Sequence, residues 1–502
     1  MNERKREEEN MKDSTEEKIA HEKVYVVIGW LITLVQIVIG GFSLFMVNKA
    51  DLLPTKIIAI LAVVLVVLIV VCRLLMKRKV KRVRFIIGVI LAALMSVCLI
   101  FADGKVAELT NTLQDITDVQ EETTRMGVYV LKDDAAATIQ DAAGYRFGIL
   151  KENARTDTDN AVAQIQEALQ GSIATSEYTG ISDLADALRS GDSKAIVVNE
   201  DFIDMVSEIE GYEGFSDEVK EIASYTWKST VKKYEDDTAQ NKDVFTMYIS
   251  GIDTFGDIST KSRSDVNILA VVNTKTKQVL LVSTPRDYYV PLSISGGVKD
   301  KLTHAGIYGI DVSKDTLEDL YGMKVDYYFR INFSGFEQII DALGGITVQS
   351  DYTFNVAPSF HYEKGSNQVN GIEALAFARE RHAFAEGDRQ RGKDQMAVIT
   401  GVIQKMQTPA VLQNFSGLMQ GLQGSFESDI PYETLAGLVK EQLSNGGSWN
   451  VNSYSVDGTG TKASTYSISK PVYVMIPDQT TVEKAKTMIQ QVTAGEIVSA
   501  EE

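Results

Sequence analysis

Residues 244–289 read VFTMYISGIDTFGDISTKSRSDVNILAVVNTKTKQVLLVSTPRDYY. Three short apolar runs lie here, at 244–249, 266–272 and 279–282. Each is rich in β-branched residues and bounded by turn residues, which predicts three buried strands. Polar groups gather at their ends. Asp253 follows the first run, Arg263 and Asp265 precede the second, and Arg286 and Asp287 follow the third. In open α/β sheets such strand ends are where ligands bind. Carboxylates and arginines at one sheet edge suit a divalent cation holding a phosphorylated ligand.

Around this segment the 502-residue chain divides sharply. Residues 1–102 hold 15 Lys and Arg against 9 Asp and Glu, a balance of +6. The whole chain carries −18, so residues 103–502 carry −18 − 6 = −24. An acidic globular part argues against a nucleic-acid partner and is read as a solvated, soluble surface. Cys72 and Cys98 both lie in apolar stretches. The remainder has no thiol, which excludes a disulfide scaffold and cysteine catalysis there.

Residues 24–47, 57–76 and 85–102 are apolar. Each is long enough to cross a hydrocarbon layer of roughly 30 Å. The first is too long for a signal-peptide core and lacks a small-x-small cleavage site, so it reads as retained. The tail 1–23 holds six Lys and Arg and the loop 77–84 (KRKVKRVR) another six, against two in the loop 48–56. Tail and basic loop are therefore expected in the cytoplasm. Three crossings then put everything after residue 102 outside the cell. The basic loop could also meet anionic lipid or a cytoplasmic partner.

Residues 104–124 read as an amphipathic helix leaving the membrane. MGVYVL, YRFGIL and KAIVVN then read as strands, and TDNAVAQIQEALQ, ISDLADALRS and EDFIDMVSEI as helices. This rhythm predicts a small α/β domain, a spacer or regulator without clustered catalytic residues. The charged stretch 228–242 marks its end. Beyond it, VDYYFRINF reads as a strand, and SGFEQIIDALGG as a helix stopped by Gly344 and Gly345. Arg379 and Arg381 share one face of an extended segment. Asp388, Arg391 and Gln395 are spaced i, i+3 and i+7 on a helix. Guanidinium groups fork onto phosphate oxygens and keep their charge. Ion pairs with Glu380, Glu386 and Asp388 are the structural alternative. Lys301 could reach a phosphate. His304, with no cysteine or second histidine nearby, makes no zinc set and reads as structural. Neither a GxxxxGK[ST] loop nor a GxSxG elbow is present.

The motifs GID (251–253), RSD (263–265), PRD (285–287), KLTHA (301–305), FSGFEQIIDALGGITV (333–348) and ARER…GDRQRGKDQ (378–395) together resemble the LytR-CpsA-Psr family. The three spans and preceding small domain are similar to its CpsA-like capsule-assembly subgroup, in which the middle segment is the accessory domain. The resemblance implies an α/β chain: a cytoplasmic tail (1–23), three transmembrane helices (24–102), an accessory domain (103–242), a larger α-β-α catalytic domain (243–495) and a tail (496–502). It implies a phosphotransferase outside the membrane. Such an enzyme moves a glycopolymer from its polyprenyl-pyrophosphate carrier to peptidoglycan, in the company of capsule-synthesis membrane proteins. By motif, Asp253 and Asp265 would hold Mg²⁺ or Mn²⁺. Arg263, Arg286, Arg379, Arg381 and Arg391, with Gln395 and Lys301, would bind the pyrophosphate. Asp388 is the candidate base, with Asp265 the alternative, and Arg381 belongs to the catalytic set. The helix 333–343 could line a cavity for the isoprenoid chain. The rival expectations are a regulator sensing lipid-linked precursors, and a pyrophosphatase with water as acceptor.

Overall fold

The computed structural model describes residues 2–77, 82–117, 121–231, 243–254, 258–356, 359–385, 387–408, 411, 418–419, 422 and 424–499. Residues 78–81 of the basic loop 77–84, most of the charged boundary 228–242, and Glu386 lie outside the described residues. The chain forms two compact units, Met1–Gln114 with Tyr432–Gly447, and Asp115–Pro431 with Ser448–Glu502.

The first unit holds α1 (Asn2–Ala50), α2 (Thr55–Leu75), most of α3 (Arg82–Thr117) and, late in the chain, α13 (Tyr432–Asn445). Stretches Lys23–Ala50, Thr55–Leu75 and Arg82–Thr112 are long and apolar enough to cross a membrane. Trp30, Val63 and Phe101 are each well exposed, the arrangement that lipid rather than water favours. The helices anchor the chain in a membrane. α3 continues without a break through Gly104 and ends at Thr117, and a strand begins at Glu121. The helix expected up to residue 124 therefore overshoots.

In the second unit β1 (Glu121–Leu131), β2 (Arg146–Leu150), α4 (Arg155–Leu169), β3 (Ala174–Tyr178), α5 (Ile181–Ser190), β4 (Ala195–Val198), α6 (Glu200–Ser207), α7 (Phe215–Glu218) and β5 (Val219–Thr230) build the smaller sheet. Its order is β3-β2-β4-β1-β5. Sequence patterning gives β1, β2 and β4 because they carry buried apolar residues. It misses β3, whose ATSEY sequence lies at an exposed edge, and β5, which runs into the charged stretch.

The rest comprises β6 (Val244–Ile252), β7 (Ser264–Asn273), β8 (Gln278–Ser283), β9 (Tyr289–Pro291), β10 (Lys299–Lys301), α8 (Ala305–Tyr308), α9 (Ile310–Tyr321), β11 (Tyr327–Ile331), α10 (Phe333–Ala342), β12 (Ile346–Ser350), β13 (Phe354–Val356), β14 (Phe360–Tyr362), β15 (Gly365–Val369), α11 (Gly371–Arg379), α12 (Asp388–Met406), β16 (Phe426–Ser428), β17 (Asn450–Ser455), β18 (Gly458–Ala463), β19 (Val472–Pro477) and α14 (Gln479–Ala494). The central sheet has the order β16-β11-β6-β7-β8-β17. β6 and β11 are parallel, as are β8 and β17, while β7 is antiparallel to both β6 and β8. The carboxyl ends of β6, β8, β11 and β17 and the amino end of β7 therefore share one edge. Leu269, Leu280 and Val282 pack with Leu317 of α9 and Val482 and Ile489 of α14 on one face. Strand alternation turns Ser283 to the other face, where Gly392 of α12 lies so close that a Cβ would stand 3.0 Å from the Ser283 hydroxyl. Helices thus cover both faces.

The two sheets are joined by a buried ion triad. Arg330 of β11 pairs with Glu122 of β1 and with Glu427 of β16, all three nearly inaccessible. Replacing Arg330 with Met strands two buried carboxylates, so the expected loss of stability is about 3–5 kcal/mol. Replacing all three by apolar residues of like volume is expected to recover most of it, measured by denaturant unfolding. On α12, Asp394 is buried and, among the described residues, bonded only through Oδ1, which accepts from Gln390 Nε2 at 2.9 Å. Burial pushes its carboxyl up to about 7. The folded state holds that proton more tightly than the unfolded chain does, so its contribution is full below pH 4 and is lost as pH rises to 7. The slope is roughly 1.4 kcal/mol per pH unit in that window. Melting temperatures should fall between pH 4 and 7, and less steeply in Asp394→Asn.

Candidate functional site

The β6–β7 ladder slips by one residue at the shared edge. Gly251 pairs with Val266 but Ile252 pairs with Ser264, which leaves Asp265 as the extra residue of a bulge. Bulges re-aim side chains, and Asp265 becomes the hub of the site. Its Oδ2 accepts from Arg286 Nη1 at 2.7 Å and its Oδ1 from Thr303 Oγ1 at 3.0 Å. Burial raises the Asp265 carboxyl, but Arg286, Arg391, Arg263 and Thr303 outweigh it and hold it below the usual carboxylate range. Arg286 follows β8 directly. Burial lowers its guanidinium, yet Asp265, Asp287 and Asp388 raise it overall. Behind the bulge, the turn carrying KLTHA packs tightly: a Cβ on Gly306 would sit 2.4 Å from the carbonyl oxygen of Ser262.

The first turn of α12 faces the same place. Arg391 Nη2 lies 3.1 Å from Asp388 Oδ2. Burial, and then the like charges of Arg286 and Arg381, push the Arg391 guanidinium below its ordinary value despite Asp388 and Asp265. Gln395 donates to the Ala378 carbonyl at 3.4 Å and ties α12 to α11. A cavity of about 230 Å³ opens between these elements, lined by Asp265, Arg286, Asp388, Arg391 and Gln395 among others. Five of the ten sequence-predicted side chains, drawn from three separate motifs, thus meet in one cavity.

The other five lie differently. Asp253, at the end of β6, faces Arg379 Nη2 at 3.8 Å, and the Arg379 guanidinium stacks on Phe333 with its carbon 4.1 Å from the ring centre. Arg379 is the last residue of α11, and the chain turns extended at Glu380. Arg379 and Arg381 therefore do not share an extended segment, contrary to the expectation from their spacing. Glu380 folds back to accept the backbone N–H groups of Arg381, His382 and Ala383, which fixes that turn and leaves the Arg381 side chain exposed. Arg263 and Lys301 point to α6 and its cap. Arg263 is ringed by Asp201, Asp204 and Glu208, and Lys301 by Glu208 and Asp287. Neither lines the cavity.

His304 is fully buried and bonded through Nδ1 to Asp300 at 2.7 Å, which bears out its structural reading. Among the cavity residues that escape the sequence reading are three charged ones, Arg389, Lys393 and Asp457. Arg389 Nη2 lies 2.7 Å from Asp457 Oδ1 and donates to the Gly458 carbonyl. Arg389 stands one residue after Asp388, off the i, i+3, i+7 face, and Asp457 comes just after β17, 457 − 389 = 68 residues later. No group of three or more His, Cys, Asp or Glu able to hold a metal occurs among the described residues.

The LytR_cpsA_psr family model matches residues 209–491, more than half of the chain. The teichoic acid transferase TagU of Bacillus subtilis (strain 168), named a polyisoprenyl-teichoic acid–peptidoglycan transferase, is 31% identical over 233 residues, 46% of this chain and 74% of that protein. TagU of Enterococcus faecalis, with the same name, is 31% identical over 222 residues, 44% of this chain and 72% of its own. The crystal structure of B. subtilis TagV aligns with 51% of this chain and 100% of that one, at 26% identity and a TM-score of 0.43. Because the family model covers residues 209–491, over the sheet-edge motifs, the chain belongs to the LytR-CpsA-Psr family.

Proposed function

We propose that the chain is a membrane-anchored phosphotransferase that moves a glycopolymer from a polyprenyl-pyrophosphate carrier to peptidoglycan. The relatives' names support the reaction class. The two TagU relatives carry teichoic acid in their names; for this chain we infer capsular polysaccharide, because three spans and an accessory domain precede its catalytic domain. The excess of Lys and Arg in 1–23 and 77–84 supports catalysis at the outer face.

The observation that carries the reading is the convergence of Arg286 and Arg391 with Asp265 and Asp388 on one cavity, at the carboxyl ends of parallel strands and the first turn of a 19-residue helix. A diphosphate diester brings two negative charges and develops more on the leaving phosphate. Fixed guanidinium groups and the positive end of a helix meet that charge without reorganising. The acceptor hydroxyl attacks the phosphorus that bears the glycan. A new P–O bond forms there, the bond to the bridging oxygen breaks, and polyprenyl phosphate leaves with the electron pair. The hydroxyl proton passes to Asp388. Asp265 is the poorer base, because both its oxygens already accept hydrogen bonds and its proton affinity is depressed.

Asp253 and Asp265 would hold Mg²⁺ or Mn²⁺. Hard carboxylate oxygens at one sheet edge support this reading, since Mg²⁺ takes one or two protein carboxylates, with water and phosphate oxygens completing its shell; the ion would compete with Arg286 and Thr303 for the Asp265 oxygens. When bound, the ion neutralises charge on the phosphoryl oxygens. Arg379 and Arg381, at the end of α11, are read as closing on the diphosphate from the opposite side. The half-buried Phe333, Phe336 and Ile339 of α10 offer an apolar surface for the carrier chain.

The test uses the purified chain, Mg²⁺ and a glycan on a polyprenyl pyrophosphate, with and without peptidoglycan. Transfer to the wall polymer is expected, and release of free phosphorylated glycan without acceptor would point to hydrolysis instead. Arg286→Ala and Arg391→Ala should each lower transfer by about 10²–10³, measured at a temperature where the folded fraction of each variant, followed by its melting curve, is unchanged. Undiminished transfer in both variants would overturn the reading.

A further inference from the structure

α6 and its C-terminal cap, Glu208, carry Asp201, Asp204 and Glu208 at i, i+3 and i+7, on one helical face. The opposite face, with Phe202, Ile203, Met205 and Val206, is buried in the accessory domain. The acidic face meets Arg263. Nε of Arg263 lies 3.6 Å from Asp201 Oδ1, Nη2 3.3 Å from Asp204 Oδ2, and Nη1 3.2 Å from Glu208 Oε1. The second oxygen of Glu208 lies 2.6 Å from Lys301 Nζ, which is also 3.1 Å from Asp287. Glu208 thus bridges two cations, one oxygen to each.

Both cations adjoin the cavity in sequence and in space. Arg263 stands two residues before Asp265 and contributes to holding that carboxylate ionised. Lys301 stands two residues before Thr303, which donates to Asp265. Yet four carboxylates surround these two cations, so they present no net positive field to an incoming anion. Burial pushes the Glu208 carboxyl up, but Lys301, His304 and Arg263 more than offset it, and Glu208 stays below the ordinary glutamate range. Its side chain keeps 27% exposure, so the bridge borders solvent. One buried nitrogen of Arg263, Nε, has no hydrogen-bond partner among the described residues. The guanidinium is therefore held by charge with imperfect bonding, and a phosphate oxygen could offer it a better acceptor.

We propose that Glu208, with Asp204 and Asp201 beside it, is a positioning residue of the transfer site that acts through Arg263 and Lys301. The accessory domain's carboxylates are an internal anionic stand-in, and a diphosphate binds by exchanging places with them. This rests on the diphosphate reading of the cavity. It gives the accessory domain a role in the chemistry: it lowers the affinity for diphosphate by the cost of that exchange, and it releases α6 from its ion pairs when the site fills. A ligand lacking the second phosphate has less charge with which to displace Glu208, so the arrangement favours diphosphates over monophosphates.

The experiment measures the affinity of the full chain, in detergent with Mg²⁺, for farnesyl pyrophosphate and farnesyl phosphate. Glu208→Gln is expected to bind the pyrophosphate about tenfold more tightly, to gain less for the monophosphate, and so to widen their ratio. Glu208→Asp should fall between the two chains. The gain should vanish in an Arg263→Ala, Lys301→Ala background, where there is no cation to release. Unchanged or weaker pyrophosphate binding by Glu208→Gln would mark Glu208 as purely structural and overturn the inference. If that variant does not fold, Asp204→Asn, half exposed on the same face, decides by the same direction of change. Arg286→Ala and Arg391→Ala separate the two readings. If they leave binding intact, the diphosphate reading falls. If they abolish it while Glu208→Gln fails to tighten it, only the role of Glu208 falls.

Discussion

A guanidinium group cannot discard its charge, so every arginine this fold buries must be matched by a carboxylate close at hand. That requirement explains much of the architecture of the second unit. Arg330 is answered by Glu122 and Glu427, Arg286 by Asp265, Arg391 by Asp388, and Arg263 by the acidic face of α6. Two of these matches draw on the smaller sheet and its helices. The smaller sheet is therefore fastened to the larger by charge as well as by packing, and its removal would leave Arg330 and Arg263 short of partners. Such pairs add little net stability by themselves. What they set is geometry, because a forked cation between fixed acceptors has few orientations.

The sheet supplies the fixed frame. Four strands run the same way and β7 runs against them, so the start of β7 meets the ends of β6 and β8. The one-residue slip at Ile252 turns Asp265 out of the ladder toward Arg286. Regular pairing would have kept its side chain in step with the face of its neighbours. A defect in hydrogen bonding thus produces the group around which charge is arranged.

The strands of residues 244–283 are legible because their apolar, β-branched runs are continuous and their ends polar. The helix face with Asp388, Arg391 and Gln395 is legible because i, i+3, i+7 spacing is a local rule. Three things are not. The end of α11 between Arg379 and Arg381 depends on Glu380 capping its own turn, a side-chain choice that spacing does not record. The engagement of Arg263 and Lys301 by α6 depends on how two separately readable domains dock, and no periodicity encodes docking. β3 and β5 lie at sheet edges, where half-exposed strands lack the apolar signature. Family motifs treat the arginines as equivalent, whereas the fold places Arg286 and Arg391 in the cavity, Arg379 and Arg381 at and just past the end of α11, and Arg263 against α6.

The cavity's last wall comes from Ser455–Asp457, at the end of β17, and β17 completes the sheet by pairing in parallel with β8. That pairing spans well over a hundred residues of chain, and parallel partners so distant join slowly. As the polypeptide emerges from its amino end, β8 waits with a bare edge until nearly all of it has been synthesised. A chain cut short before residue 450 would keep every arginine named above and still lack a closed pocket. The cavity wall is therefore completed only when synthesis is almost finished, because the strand that carries it is among the last to be made.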